Sequence, residues 1–190
     1  MAEIMYKSKG KAPNGDPFLV VKKARGYYEY SERPGKDSIA FILYDKISDK
    51  YALIFESKPP MDERFQKEVM MTTAMGGSID LDLDYNEICQ KEVEEETGYE
   101  IPLSRIHSIG KTLVSTQMSQ LCEGFLVDVT GYIKTKNAEY ENSITMAQYI
   151  KDPNEFSKNK IEWLTEEGVM NNNDWKSIWI IAKAKNKNII

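Results

Sequence analysis

One histidine and two cysteines are all that this 190-residue chain carries of the side chains that most often bind soft metals. The lone His107 rules out a histidine-rich metal site and leaves no redundancy for a Ser-His-Asp triad; it reads as a strand or loop residue. Cys89 and Cys122 form no C-x-x-C pair and no disulfide framework, which fits a reducing compartment. Long apolar runs are missing too. The runs present are short, such as IWIIA at 178–182, so no segment spans a membrane. The opening MAEIMYKSKGKAPNG lacks the apolar core of a signal peptide. These absences predict a cytoplasmic protein. Basic residues are outnumbered, 25 Lys and Arg against 30 Asp and Glu, for a formal net charge of −5. That balance counts against a nucleic-acid partner, because phosphate-backbone contacts need clustered cations. A small nucleotide stays possible where a divalent cation supplies the missing charge. Internal repeats and long low-complexity tracts are also absent.

What is present has the ordinary proportions of a globular chain: 41% hydrophobic and 29% charged residues, at a length that buries a core in one domain. Residues 1–17, with Gly10, Pro13, Gly15 and Pro17, read as a loose arm. PFLVVKKARGYYEYSE then reads as strand, turn and strand around Gly26. SIAFILYD (38–45) is a continuous apolar run of strand length, and YALIFES (51–57) is a second strand stopped by Pro59-Pro60. VMMTTAM (69–75) predicts another strand ended by Gly76-Gly77. Strand pattern returns from Arg105 to Val129. EFSKNKIEWLTEEG predicts a short helix ending at Gly168. In DWKSIWIIAKAK, Trp175, Ile178, Trp179 and Ala182 share helical spacing behind a cap at Asn173 or Asp174. Strands, helix, strands and helix in that order describe a mixed α/β sandwich.

The chemistry concentrates on the helix expected from Asp84 to Thr97. Asp84 with Glu87 is a capping-box start, and Gly98 followed by Pro102 is a stop. At roughly 100° per residue, Tyr85, Ile88 and Cys89 share one arc, which continues through Glu92, Glu95 and Glu96 while Glu94 points to solvent. Acidic residues on a helix ordinarily form a solvated face. Here they lie on the arc that is apolar one turn earlier, between a Gly-Gly turn and a closing glycine. Three carboxylates at that spacing repel one another, and burying them costs several kcal/mol without a positive partner. A hard divalent cation, Mg²⁺ or Mn²⁺, is the economical solution.

Gly77 to Tyr99, GSIDLDLDYNEICQKEVEEETGY, resembles the Nudix box, G-x5-E-x7-R-E-U-x-E-E-x-G-U, with U a bulky apolar residue. Gly77, Glu92, Val93, Glu95, Glu96 and Gly98 match in register. Leu83 stands in place of the first glutamate and Lys91 in place of the arginine. ALIFESKPP leading to TAMGGSID, and EWLTEEGVMNNNDWKSIWIIA (162–182), are similar to the ADP-ribose pyrophosphatase-like branch of that superfamily. The paired strands at 18–31 resemble its N-terminal dimerisation hairpin, which divides the chain into an arm and hairpin at 1–35 and a Nudix domain at 36–190.

The resemblance implies a Nudix-type α/β/α sandwich with a mixed sheet and an N-terminal antiparallel hairpin. It implies a homodimer that cleaves a nucleoside diphosphate linked to another group, with ADP-ribose or a nucleotide sugar favoured. Glu92, Glu95 and Glu96 would hold Mg²⁺ or Mn²⁺, with a backbone carbonyl near Ala74 or Gly76. Glu95 and Glu96 would serve catalysis, and the general base would be Glu139 or Glu141 in NAEYENSI. Tyr28, Arg33, Lys58 and Gly77 would contact substrate, with Tyr27 a further stacking candidate. Trp163, Trp175 and Trp179 read as core or dimer-contact residues. The loop Ser115–Gln120 stands where the branch has S-P-G-x-x-E; the Pro-Gly is absent and Gln120 replaces the acid. Two other readings stay open: a Nudix hydrolase of dinucleotides, NADH or capped RNA, and a catalytically weakened nucleotide-binding protein, kept alive by Leu83 and Lys91.

Overall fold

The computed structural model describes residues 2–10, 15–33, 37–79, 82–135 and 160–190. A mixed sheet lies between two helical layers, and a second, three-stranded sheet sits at the N-terminus. In the main sheet, β4 (Ser38–Asp45) pairs parallel with β8 (Leu121–Asp128) and antiparallel with β5 (Lys50–Ser57). β6 (Met70–Thr73) and β9 (Lys160–Leu164) both pair antiparallel with β5, and β7 (Ile106–Leu113) closes the far edge on β8. The order is β6-β5-β4-β8-β7 with β9 against β5.

The unbroken apolar run of β4 follows from burial on both faces. Ile39, Phe41 and Leu43 point to one side, where helix α2 (Tyr85–Thr97) packs through Ile88, Cys89 and Val93. Ala40 and Ile42 point to the other, where helix α4 (Trp175–Asn186) packs through Ile180, Ile181 and Ala184. No helix among the described residues is long and apolar enough to cross a membrane.

The helix ends follow local chemistry. Asp84 accepts from the Asn86 N–H while Glu87 reaches back to the Asp84 N–H, and Gly98 closes α2 at φ 75°. Such caps stabilise a helix by about 1 kcal/mol.

Four expectations need correction. Glu3–Lys7 is not a loose arm but strand β1, paired antiparallel with β2 (Val20–Ala24), which pairs with β3 (Tyr28–Glu32). Pro59-Pro60 does not only stop β5; it starts a short helix α1 (Pro59–Phe65), since proline suits the first helical turn. Of the stretch expected to form a helix before Gly168, 155–159 lie outside the described residues and Lys160–Leu164 is β9, while Gly168 lies inside helix α3 (Glu166–Met170), capped by the Thr165 side chain. The buried stripe of α4 is Ser177, Ile180, Ile181 and Ala184, displaced by two residues from the one expected and so roughly 200° round the helix; Trp175 is exposed and Trp179 only half-buried.

Candidate functional site

The chain leaving β6 runs along the first half of β4. Met75 bridges Phe41 and Ser78 bridges Ser38, and the N–H groups of Phe41 and Ile39 donate to the carbonyls of Met75 and Gly77 at 2.8 and 2.9 Å. With the carbonyls of 75 and 77 turned to β4, strand alternation directs those of Ala74 and Gly76 away from it. Ala74 is otherwise tied from behind: its N–H donates to Asp174, the cap of α4, at 2.8 Å, and its side chain packs on the α4 side.

Two glycines let this segment lie so close. A methyl group on Gly76 would stand 2.3 Å from the Ile39 carbonyl oxygen. One on Gly77 would stand 2.2 Å from Oε1 of Glu92. The carboxylate of Glu92 therefore rests directly on the bare Cα of Gly77. From the hairpin end, the Arg33 guanidinium donates to the Ser78 hydroxyl at 3.3 Å. Arg33, Ser78, Gly77 and Glu92 thus form one line of contacts, drawn from the N-terminal sheet, the loop and α2.

One turn further along α2, Glu96 is only 7% exposed and its Oε2 atom is sealed from solvent. Cys89 is fully buried on the same arc. Burial pushes its thiol well above the ordinary pKa, and the charges of Glu92 and Glu96 push the same way.

Glu95 is the exception among the expected acids. Its side chain is 45% exposed and pairs with Lys91 at 3.6 Å along the helix surface. Helical geometry gives the reason. Glu96 falls roughly 20° from Cys89 around the axis, whereas Glu95 falls roughly 120° away. The inward arc is narrower than the sequence suggested, and it takes Glu92 and Glu96 but leaves Glu95 outside. Glu94, expected in solvent, is half-buried.

The remaining candidates disperse. Lys58 is ion-paired with Glu56, which also accepts from the Thr73 hydroxyl at 3.0 Å. Ala52 and Ile54 face α2, so Glu56, next in the alternation, faces the same side. Glu56 and Thr73 are thus polar residues on the site's face of the sheet that carried no sequence motif. Tyr28 is 42% exposed and its hydroxyl donates to the Thr116 carbonyl at 2.7 Å; Tyr27 is 74% exposed. Around them the hairpin is clipped to the 115–120 loop: the Ser31 N–H donates to Gln117, and the Ser119 N–H to Ser31. Glu139 and Glu141 lie outside the described residues.

Among the described residues no group of three or more His, Cys, Asp or Glu side chains converges closely enough to hold a metal ion. What the donor set offers is a pair, Glu92 and Glu96. A pair fits magnesium, which commonly takes one or two carboxylates and fills its shell with water and phosphate oxygens. It does not fit a closed protein cage.

A protein of known structure, described as an ADP compounds hydrolase, superposes on the whole of this chain and on 97% of its own, with a TM-score of 0.61 and 11% identity. The likeness is one of fold. With the layer order above, it shows the Nudix-type α/β/α sandwich with a mixed sheet and an N-terminal antiparallel hairpin. No family model matches the chain, and no curated protein matches it by sequence.

Proposed function

We propose that this protein hydrolyses the pyrophosphate bond of a nucleoside diphosphate linked to another moiety, with a divalent cation held by Glu92 and Glu96. The observation that carries the reading is Glu96: an acidic side chain sealed at the centre of a helix's inward face, one turn from a carboxylate seated on a glycine. A carboxylate buried there costs several kcal/mol, and a purely structural role would be served better by leucine. When bound, Mg²⁺ or Mn²⁺ would neutralise phosphate oxygens and acidify the attacking water. The chain's own part is positioning. Glu92 is held in place by Gly77, and Arg33, beside Ser78, supplies a cation on the same loop to meet a phosphate. The base that takes the water's proton is proposed as Glu139 or Glu141. ADP-ribose and nucleotide sugars lead the substrate list, as the likeness to an ADP compounds hydrolase supports.

A panel of nucleotide conjugates with Mg²⁺, Mn²⁺ or EDTA tests this. Metal-dependent release of a nucleoside monophosphate from at least one conjugate is expected. A second reading is favoured by one finding, the outward turn of Glu95 that leaves two acids where three were expected. In that reading the protein binds a nucleotide without cleaving it. Tight binding of a conjugate with no turnover in any metal would decide for it. Assembly as a homodimer through the N-terminal sheet belongs to the main reading. Ile4, Met5 and Tyr6 of β1 are each about half exposed, at 50%, 48% and 54%. A monomer by light scattering at working concentration would reject that assembly.

A further inference from the structure

Helix α4 carries two apolar stripes, and the sheet takes only one of them. Ser177, Ile180, Ile181 and Ala184 are buried. Trp175, Ile178, Trp179 and Ala182 also recur at helical spacing, on the opposite side of the helix at about 100° per residue. Trp175 is 42% exposed, Ala182 is exposed, and Ile178 and Trp179 are half-buried. The two indole rings lean together, with centroids 6.3 Å apart and planes tilted by 45°. Trp179 is rooted on the sheet, where the bare Cα of Gly124 receives its ring. Trp175 stands outside it, as the crest of a supported ridge.

Cations border this ridge. From Trp175 to Ile190 the chain has Lys176, Lys183, Lys185 and Lys187 and no acidic side chain, in a protein whose net charge is −5. At about 100° per residue, Lys176 and Lys183 lie along the flank that Trp179 occupies. Neither has an ion-pair partner among the described residues. Lys187 donates to the Ser108 carbonyl at 3.2 Å. On the other flank, Glu166 of α3 pairs with Lys185.

A surface helix needs one apolar stripe to hold it to its protein. A second, built on two tryptophans and edged with lysine, calls for a partner, and the charge says of which kind. A two-fold contact between copies would set the same patch against itself, lysine against lysine. A peptide needs a groove or a free strand edge, and a helix lying along a sheet offers a convex crest. A flat anionic surface meets such a crest along its length. Tryptophan suits the boundary of a bilayer, with an apolar body and one polar N–H. Lysine stems lie along apolar surface while their ammonium groups reach outward. Because α4 and α2 pack on opposite faces of the sheet, contact through α4 leaves Glu92 and Glu96 turned toward solution.

We propose that α4 docks this protein on an anionic lipid surface, with Trp175 and Trp179 at headgroup depth and Lys176 and Lys183 on lipid phosphates. Docking needs neither metal nor turnover, so it stands or falls apart from the hydrolytic reading. The test is co-sedimentation with vesicles of phosphatidylcholine mixed with phosphatidylserine, against phosphatidylcholine alone. The protein should pellet with the mixed vesicles only, and less as salt is raised. A lysine near an anionic surface contributes about fivefold in binding, so Lys176→Ala with Lys183→Ala should weaken it about twentyfold. Trp175→Ala, at an exposed position that spares the core, should weaken it about tenfold or more. Brominated acyl chains should quench tryptophan emission in the wild type and less in Trp175→Ala. Failure to pellet with mixed vesicles, or pelleting that both sets of substitutions leave intact, overturns the proposal. So does preferential binding of a polyglutamate peptide, which would make the partner an acidic protein segment.

Discussion

The two faces of the main sheet use the same device for different ends. On the α4 side, Gly124 of β8 is bare so that the Trp179 ring can lie on it; a methyl group there would stand 2.4 Å from the ring. On the α2 side, Gly77 is bare so that the Glu92 carboxylate can lie on it. Both helices present a stripe at i, i+3 and i+4 spacing. In α4 the stripe stays quiet through Ile180, Ile181 and Ala184. In α2 it passes from Ile88, Cys89 and Val93 to a buried acid. Apolar contact returns stability for each atom buried, and a buried carboxylate does not. The difference separates a face built to hold the fold from one that spends stability on a charge.

The sharpest way to break this contrast is to exchange one residue on each face. Glu96→Gln keeps the shape and removes the charge. Turnover should fall about 10²–10³-fold, the scale of losing one electrostatic contributor in a closed site. Its fold should stay intact, because glutamine keeps the size and the hydrogen-bonding capacity of the side chain. Ile180→Ala should do the reverse, costing about 2–5 kcal/mol of stability through the cavity it leaves, with turnover per folded molecule intact. Steady-state kinetics and thermal unfolding on both variants check it. Equal activity in Glu96→Gln and wild type would remove the distinction between the faces.

The glycines give a smaller and finer test. Gly124→Ala presses a methyl group into a large ring, and overpacking of that kind costs about 1–3 kcal/mol. Gly77→Ala meets only the far end of a flexible side chain, which can swing aside. Stability should therefore change less than in Gly124→Ala, while activity drops about tenfold or more as Glu92 leaves its seat. If Gly77→Ala proves the less stable and the more active of the two, the carboxylate is not held for chemistry.

Much of this was legible from the chain wherever the signal was local. Asp84, Glu87 and Gly98 marked both ends of α2, and the apolar runs marked β4 and β5, because caps and strand patterning act within a few residues. β1 was illegible because every residue of it is exposed, which erases the alternation that betrays a strand. α1 was hidden by a proline pair that reads as a stop but serves equally as a start. At the site, Gly77, Glu92 and Glu96 could be anticipated from one helix and one turn. The contact of Arg33 with Ser78, and that of Thr73 with Glu56, depend on pairing between separate segments and left no pattern.

Glu95 supplies the last and smallest test, because sequence and structure part there. The Lys91–Glu95 pair is exposed and spaced i, i+4, and such pairs contribute about 0.3–0.5 kcal/mol. Lys91→Ala should therefore change stability by no more than about 0.5 kcal/mol, and less as salt is raised. Activity should stay within about twofold, since the pair faces away from Glu96 and Gly77. Glu95→Gln should behave in the same way. A large loss of turnover in Glu95→Gln, with the fold intact, would mean that the working site draws Glu95 inward when metal and diphosphate arrive. The inward arc would then be as wide as the sequence first suggested, and the contrast between the two faces would include a third acid.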